Sequence, residues 1–426
     1  MKLRPHFEFL GMFSSAVIMQ ALLSASNLCV GLILIRFTSD VQYGYYVLIL
    51  NSVLLLIGLQ SAFIQPPMVL RMISSNQAQR ADLIGGLYRG QRWLLLRIAI
   101  AAVAVIAICW FLGLLSGSLS LVIIAGLAAA ISSCYREFFR MVLLAYRRPN
   151  DVLRGDAVYV AILIPGAVLA VLSPAAAVIA ALALSFAACC GGLVQSRMLW
   201  RHEHWNPRGA PGVLLDIAPL GGLSTAGSAA HWAFSQGYNY LVAGTLDVTA
   251  VAALSATRLL MMPVNLLSSG IGSLMLPTAS GWLHAYGAGV VFRRLALIAS
   301  ALAAIALIYF GLLWVLRDWV FVRLMHKHFV HGDALLAIWS SVFLVMVFRD
   351  QLLYLPGACG MFGSLTITTG ISAILALVVV FVTIRSIGVI GAPIGVLVGE
   401  LANVLCIIGL SVRRIRNPAV SLDPSH

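Results

Sequence analysis

Residues 9–35 read FLGMFSSAVIMQALLSASNLCVGLILI, 27 consecutive positions without one charged side chain. At about 1.5 Å of rise per residue, a helix of that length crosses the roughly 30 Å hydrocarbon layer of a bilayer. The run carries Ser14, Ser15, Gln20 and Asn27, and no soluble mature domain follows it, so it predicts a retained span rather than a cleaved leader. Eleven further apolar runs follow at 45–66, 93–115, 119–146, 153–172, 175–198, 217–244, 249–276, 295–316, 334–357, 363–385 and 388–412. Lipid supplies no hydrogen-bond partner for an open sheet edge, so all of them must be helical. The expected fold is therefore an all-α integral membrane protein of about twelve transmembrane helices.

Composition agrees. Of 426 residues, 61% are hydrophobic and 10% charged, with a mean hydropathy of +1.00. Soluble domains average about 25% charged residues, so this chain cannot cover a globular surface with polar groups. The net charge of +13 is carried almost wholly by arginine, since Lys2 and Lys327 are the only lysines. In a soluble protein that balance would suggest nucleic acid; here the positive-inside rule accounts for it, and no nucleic-acid partner is expected. With the N-terminus inside, 17 of the 27 basic side chains fall in cytoplasmic segments, 5 on the opposite side and 5 within spans. Both termini are then cytoplasmic, although the basic loop 317–333 falls outside and dissents.

The polar segment WRHEHWNPRGAPG, Trp200 to Gly212, divides the chain into two halves of six spans. The expected organisation is a bundle over 1–200, a cytoplasmic linker over 201–212, a second bundle over 213–412 and a cytoplasmic tail over 413–426. Asn27 and Asn239 lie 212 positions apart, as do Gly58 and Gly270, and the pairs Arg136-Glu137 and Arg349-Asp350 lie 213 apart. Each Arg–acid pair falls in the fourth span of its half. The offsets predict a parallel 6+6 repeat with a cleft between the bundles, which is transporter architecture.

Residues 27–48, NLCVGLILIRFTSDVQYGYYVL, lead into an apolar stretch with Gly58 and a closing Pro66-Pro67. This resembles the opening of the polysaccharide transporter family, the Wzx-type O-antigen and exopolysaccharide flippases. The shared elements are a polar Asn in span one, an Arg at its outer end and a short turn before Tyr-Gly-Tyr-Tyr. Ala252 to Pro277, AALSATRLLMMPVNLLSSGIGSLMLP, is similar to that family's eighth span. The resemblance implies a flippase in a bacterial cytoplasmic membrane for a polyprenyl-diphosphate-linked glycan, working beside polymerase and chain-length proteins of the same pathway. The same superfamily holds lipid II flippases, expected to have fourteen spans, and multidrug extruders, which usually show acids deep in the N-terminal half. Here only Glu137 and Asp156 fill that position.

An arginine at mid-bilayer costs about 2.5–3.5 kcal/mol, so each one needs a reason. Arg136 and Arg140 share a helix face, and Glu137 reaches Arg140 at i,i+3. They are either a structural ion-pair cluster or the cationic lining of a cleft; with one adjacent acid, the charge surplus favours an anionic partner. Arg349 is a further candidate for the cationic cavity, although with Asp350 beside it it is more easily satisfied internally. Arg258 has no neighbouring acid and is the foremost candidate to grip a diphosphate through paired donors. Arg97 reads as a snorkelling side chain. Asp156, within a turn of Arg154, reads as a surface salt bridge, and Glu400, among Gly391, Gly395 and Gly399, as a bundle-facing acid. Glu137, Asp350 and Glu400 are candidate coupling or structural acids; Asn27 and Asn239 are candidate polar lining. Pro66-Pro67, Pro263 and Pro277 read as hinges or helix ends.

No enzyme motif is visible. The seven cysteines lie in apolar segments without paired spacing, His202 and His204 lack metal-ligand partners, and His326, His328 and His331 form a small loop cluster. No metal or cofactor is expected, and there is no phosphate-binding glycine loop. The competing readings are an ion-coupled multidrug extruder of the same fold and a membrane-embedded glycosyltransferase or ligase, which would need a larger outer loop.

Overall fold

The computed structural model describes residues 4–203, 205, 207, 209–327 and 329–416. Among them there is no strand, and every expected span is a helix or a pair of helices. His204, Asn206, Arg208 and His328, and the tail beyond Arg416, lie outside the described residues. Among the described residues, nine helical stretches are long and apolar enough to cross a membrane by themselves, and a bent pair makes a tenth. One of those stretches, Phe362–Arg416, contains two helices. The fold is a multi-pass helical membrane protein of the expected twelve-helix class.

The chain divides into two compact units, Met1–Ala229 and Ala230–His426. In the first, the six spans are α1 (Arg4–Phe37), α2 (Asp40–Ser74), α3 (Gln77–Phe111), α4 (Gly117–Ala145), α5 (Pro149–Val171) and α6 (Ala176–Glu203). Their starts are written locally. The Ser39 hydroxyl accepts from the Gln42 amide at 3.3 Å, Asn76 and Gln79 form a reciprocal capping box, and Pro149 occupies the first turn of α5, where no amide is needed. α3 begins sixteen residues before the expected span, because this box starts a polar helical turn that hydropathy alone does not register.

Pro66-Pro67 does not close α2, which runs on to Ser74. A neighbouring backbone packs against the weakened turn: a Cβ at Gly221 would collide with the Phe63 carbonyl oxygen, one of those a proline leaves free. In the segment over 201–212, residues 201, 202, 207 and 210–212 are exposed, while Trp205 and Gly209 are buried. Trp205 is buried, its ring 5.1 Å from Tyr88 and 5.7 Å from Phe139, and a Cβ at Gly209 would meet the backbone of α3. The short helix α7 (Val213–Asp216) and the first part of α8 (Ala218–Gln236) also belong to the first unit, so the join falls inside α8.

The second unit holds the rest of α8, then α9 (Tyr238–Thr245), α10 (Val248–Leu259), α11 (Met262–Tyr286), α12 (Ala288–Val315), α13 (Gly332–Leu352), α14 (Tyr354–Ala358), α15 (Phe362–Ile387) and α16 (Gly391–Arg416). A π-helical turn, Trp319–Leu324, precedes α13. Three expected spans divide into two helices, the tenth at Leu353 into α13 and α14. The seventh breaks at Gly237 into α8 and α9, and the eighth bends by 55° between α10 and α11. Pro263 cannot donate to the preceding turn, and the Tyr309 hydroxyl donates to the Leu260 carbonyl at 2.8 Å instead.

Candidate functional site

The Arg136 cluster lies at the packing of α4, α5 and α6. Glycines bring these helices together: a Cβ at Gly155 would clash with Gln195, and one at Gly192 would meet the Tyr135 ring at 2.7 Å. Asp156, fully buried, lies between the two arginines, 3.6 Å from Nη1 of Arg136 and 3.4 Å from Nε of Arg140. Nη1 of Arg140 also meets Glu137 at 3.1 Å. Arg136 stacks 3.8 Å above the Tyr159 ring, and Gln195 donates to Asp156 at 3.2 Å. Two arginines thus face two acids. The expected charge surplus does not exist, and Asp156 is no surface partner of Arg154. Residues two apart on a helix do not face each other, and Arg154 pairs with Asp151 at 3.2 Å instead.

In the second unit Arg349 is the hub of a triad. Its Nη1 meets both Glu400 oxygens, at 2.6 and 2.8 Å, while Nε and Nη2 donate to Asp350 at 3.0 and 2.7 Å. The Ser268 hydroxyl donates to the other Asp350 oxygen at 3.3 Å. Glu400 therefore faces the bundle interior, where it is 2% exposed. Two carboxylates share one guanidinium at ion-pair distance, and Arg258 acts on Glu400 from farther off.

Arg258 is different. It ends α10, just before the bend, and is half-buried. Its Nη1 donates to the Ser235 carbonyl at 3.0 Å, the Gln236 Oε1 at 2.7 Å and the Tyr238 hydroxyl at 3.0 Å, all three flanking the break at Gly237. Its guanidinium lies 5.8 Å from the Tyr238 ring centroid and 5.5 Å from that of Trp339. Among the described residues no carboxylate pairs with Arg258, and its Nε and Nη2 donate to nothing. Asn239 donates to the same Gln236 oxygen at 3.2 Å, so Gln236 joins two of the sequence candidates. Gln236, Tyr238 and Trp339 were not among the candidates. Their roles depend on where α8 breaks and on which face of α13 meets α10, and no local pattern encodes either. Asn27 stands half-buried on α1, and Arg97 is exposed on α3. Among the described residues no group of His, Cys, Asp or Glu could hold a metal ion, and all seven cysteines are free.

This is the fold of transporters of the MOP superfamily. An inward-facing multidrug resistance MATE family transporter aligns over 93% of this chain and 95% of its own, with a TM-score of 0.74 and 14% identity. The lipid II flippase MurJ, in an inward closed conformation, aligns over 94% of this chain and 87% of its own, with a TM-score of 0.71 and 11% identity. A MOP superfamily transporter from Pyrococcus furiosus, described as having a binding pocket of reverse polarity, aligns over 97% and 96%, with a TM-score of 0.65 and 12% identity. No protein-family model matches the sequence, and no curated protein matches it.

Proposed function

We propose that this chain is a flippase of a bacterial cytoplasmic membrane, with both termini cytoplasmic. It carries polyprenyl-diphosphate-linked oligosaccharide between leaflets by alternating access, for the synthesis of an O-antigen, capsule or exopolysaccharide. One observation carries this reading. Arg258 is held at the meeting of two broken helices by neutral groups alone. A guanidinium hydrogen-bonded to dipoles alone keeps charge for a ligand, although it also acts at longer range on Glu400. All three of its hydrogen bonds leave from Nη1, so the Nε–Nη2 edge is free for the bidentate grip that suits a phosphate. Broken spans are also where transporters of several folds build their substrate sites. Arg136, Arg140 and Arg349 spend their charge in ion pairs and come second to Arg258 as substrate contacts, with Asn239 lining the same site. The glycan and diphosphate occupy the polar interior while the lipid tail stays in the bilayer.

A second reading, ion-coupled extrusion of drugs, is favoured by the Arg349–Asp350–Glu400 triad, whose two carboxylates around one guanidinium suit a proton or a cation. Reconstituted vesicles separate the two. The flippase reading expects a fluorescent polyprenyl-diphosphate oligosaccharide to change leaflets, and Arg258→Gln to stop it. Gradient-driven uptake of a cationic dye, with no movement of the lipid-linked glycan, would establish the extruder instead.

A further inference from the structure

At one end of the second unit, three helix ends bring arginines together. α11 ends in Trp282 and Tyr286, Gly287 turns the chain at φ 78°, and α12 follows with Arg293 and Arg294. The last turns of α16 carry Arg413, Arg414 and Arg416. Val291 and Leu295 of α12 share an apolar cluster with Ile407 of α16, and the Ile415 Cγ2 lies 4.0 Å from where a Cβ on Gly289 would stand. The five arginines therefore lie on adjoining helix ends.

The five acids among this unit's described residues are engaged elsewhere. Asp247 caps α10, Asp318 and Asp333 flank Arg317, and Asp350 and Glu400 hold Arg349. Arg293, Arg294, Arg413 and Arg416 make no ion pair among the described residues. The α16 arginines are suited to their helix C-terminus, where the dipole favours cations, but Arg293 and Arg294 sit near the opposite pole of α12. A topology bias asks only for arginines on one side; it does not ask for one to be oriented. Arg294 is oriented, lying 5.0 Å from the Trp282 ring centroid and 4.4 Å from that of Tyr286. Stacking of this kind leaves the in-plane donors of the fork directed outward. Tryptophan and tyrosine belong at the headgroup level of a bilayer, and beside them Tyr286, Val290 and Leu297 are exposed apolar surface, a bed for an acyl chain.

We infer that this patch, where α11, α12 and α16 meet, is a binding surface for anionic phospholipid, with the phosphodiester held by Arg294 and its neighbours. The inference rests on the chain lying in a bilayer and not on the substrate proposed above. It is tested with the full chain in mild detergent, titrated with phosphatidylglycerol or phosphatidylcholine of matched acyl chains, with bound lipid counted by native mass spectrometry. Phosphatidylglycerol should bind more tightly, and Arg293→Gln/Arg294→Gln/Arg413→Gln/Arg416→Gln should weaken it by at least tenfold, given roughly fivefold per basic side chain near an anionic surface. Phosphatidylcholine binding should be unchanged. A second measurement needs no variant: in the unmodified protein, raising ionic strength should release phosphatidylglycerol selectively. Equal affinity for the two lipids, salt-independent binding, or full retention by the variant would overturn the inference. So would displacement of the lipid by inorganic phosphate as readily as by more phosphatidylglycerol, which would mark a free-anion site.

Discussion

Asp156 of α5 lies 3.6 Å from Arg136 of α4 with no exposure of its own side chain. It is also the second acid for Arg140, so one carboxylate joins two helices and neutralises a cluster that otherwise holds only Glu137. The Arg136–Asp156 contact is an ion pair beyond hydrogen-bond distance, and Nε and Nη1 of Arg136 have no hydrogen-bond partner among the described residues. Coulombic attraction and the Tyr159 ring hold that guanidinium in place.

Removing Asp156 should therefore destabilise the fold. Asp156→Asn leaves two buried arginines with one acid, and breaking a buried pair from one side costs about 3–5 kcal/mol. Thermal melting in detergent should fall clearly, and adding Arg136→Gln should restore part of the loss by rebalancing the charge. A double variant no more stable than Asp156→Asn would mean the two residues are not coupled.

Arg258 should behave in the opposite way. Arg258→Gln should fold and express normally, since its partners are neutral and Gln can still donate to one of them, but glycan export should fail. Lys at the same position should recover part of the activity, because charge returns without the forked donors. Normal export by a well-expressed Arg258→Gln protein would remove Arg258 as the diphosphate anchor.

The Arg349 triad makes an asymmetric prediction. Glu400→Gln leaves a balanced Arg349–Asp350 pair, whereas Arg349→Gln leaves the buried Glu400 and the part-buried Asp350 without their shared cation. Melting temperatures should thus rank unmodified protein, then Glu400→Gln, then Arg349→Gln. The reverse order of the two variants would show that the net charge of the triad is set elsewhere.

Asp247 caps α10, accepting from the Ala250 amide at 2.7 Å and the Thr249 hydroxyl at 2.6 Å. These bonds, the hydroxyl first, hold its carboxyl below the usual carboxylate range. A depressed folded-state value means its stabilisation is complete above the ordinary carboxylate range and is lost as pH falls through the depressed one. Hydrogen exchange at residues 249–252 should accelerate in that acid window, and Asp247→Ala should abolish the pH dependence at a cost of about 1 kcal/mol.

Topology is open to labelling. On a cysteine-free background, Ala210→Cys should be shielded from an impermeant thiol reagent in intact cells, and Leu246→Cys should react. Both side chains' positions are exposed. Labelling of position 210 from outside would invert the proposed orientation.

The amino-acid sequence by itself determined the class: twelve apolar runs, an all-helical membrane fold, and an Arg–acid pair in the fourth span of each half, at α4 and α13. Those features are local, because transfer of a side chain into lipid and the period of a helix are settled within a few turns. Arg258 stood out for the same reason, having no acid within reach along its own helix. Only the tertiary structure decided which charges meet. Asp156 turns to Arg136 and Arg140 rather than to Arg154, and Arg349 reaches Glu400, 51 positions away. The breaks that place Gln236, Tyr238 and Trp339 around Arg258 were equally hidden. An ion pair between helices depends on which faces pack, and packing is set by close approaches such as that of Gly155 to Gln195, which no single helix contains.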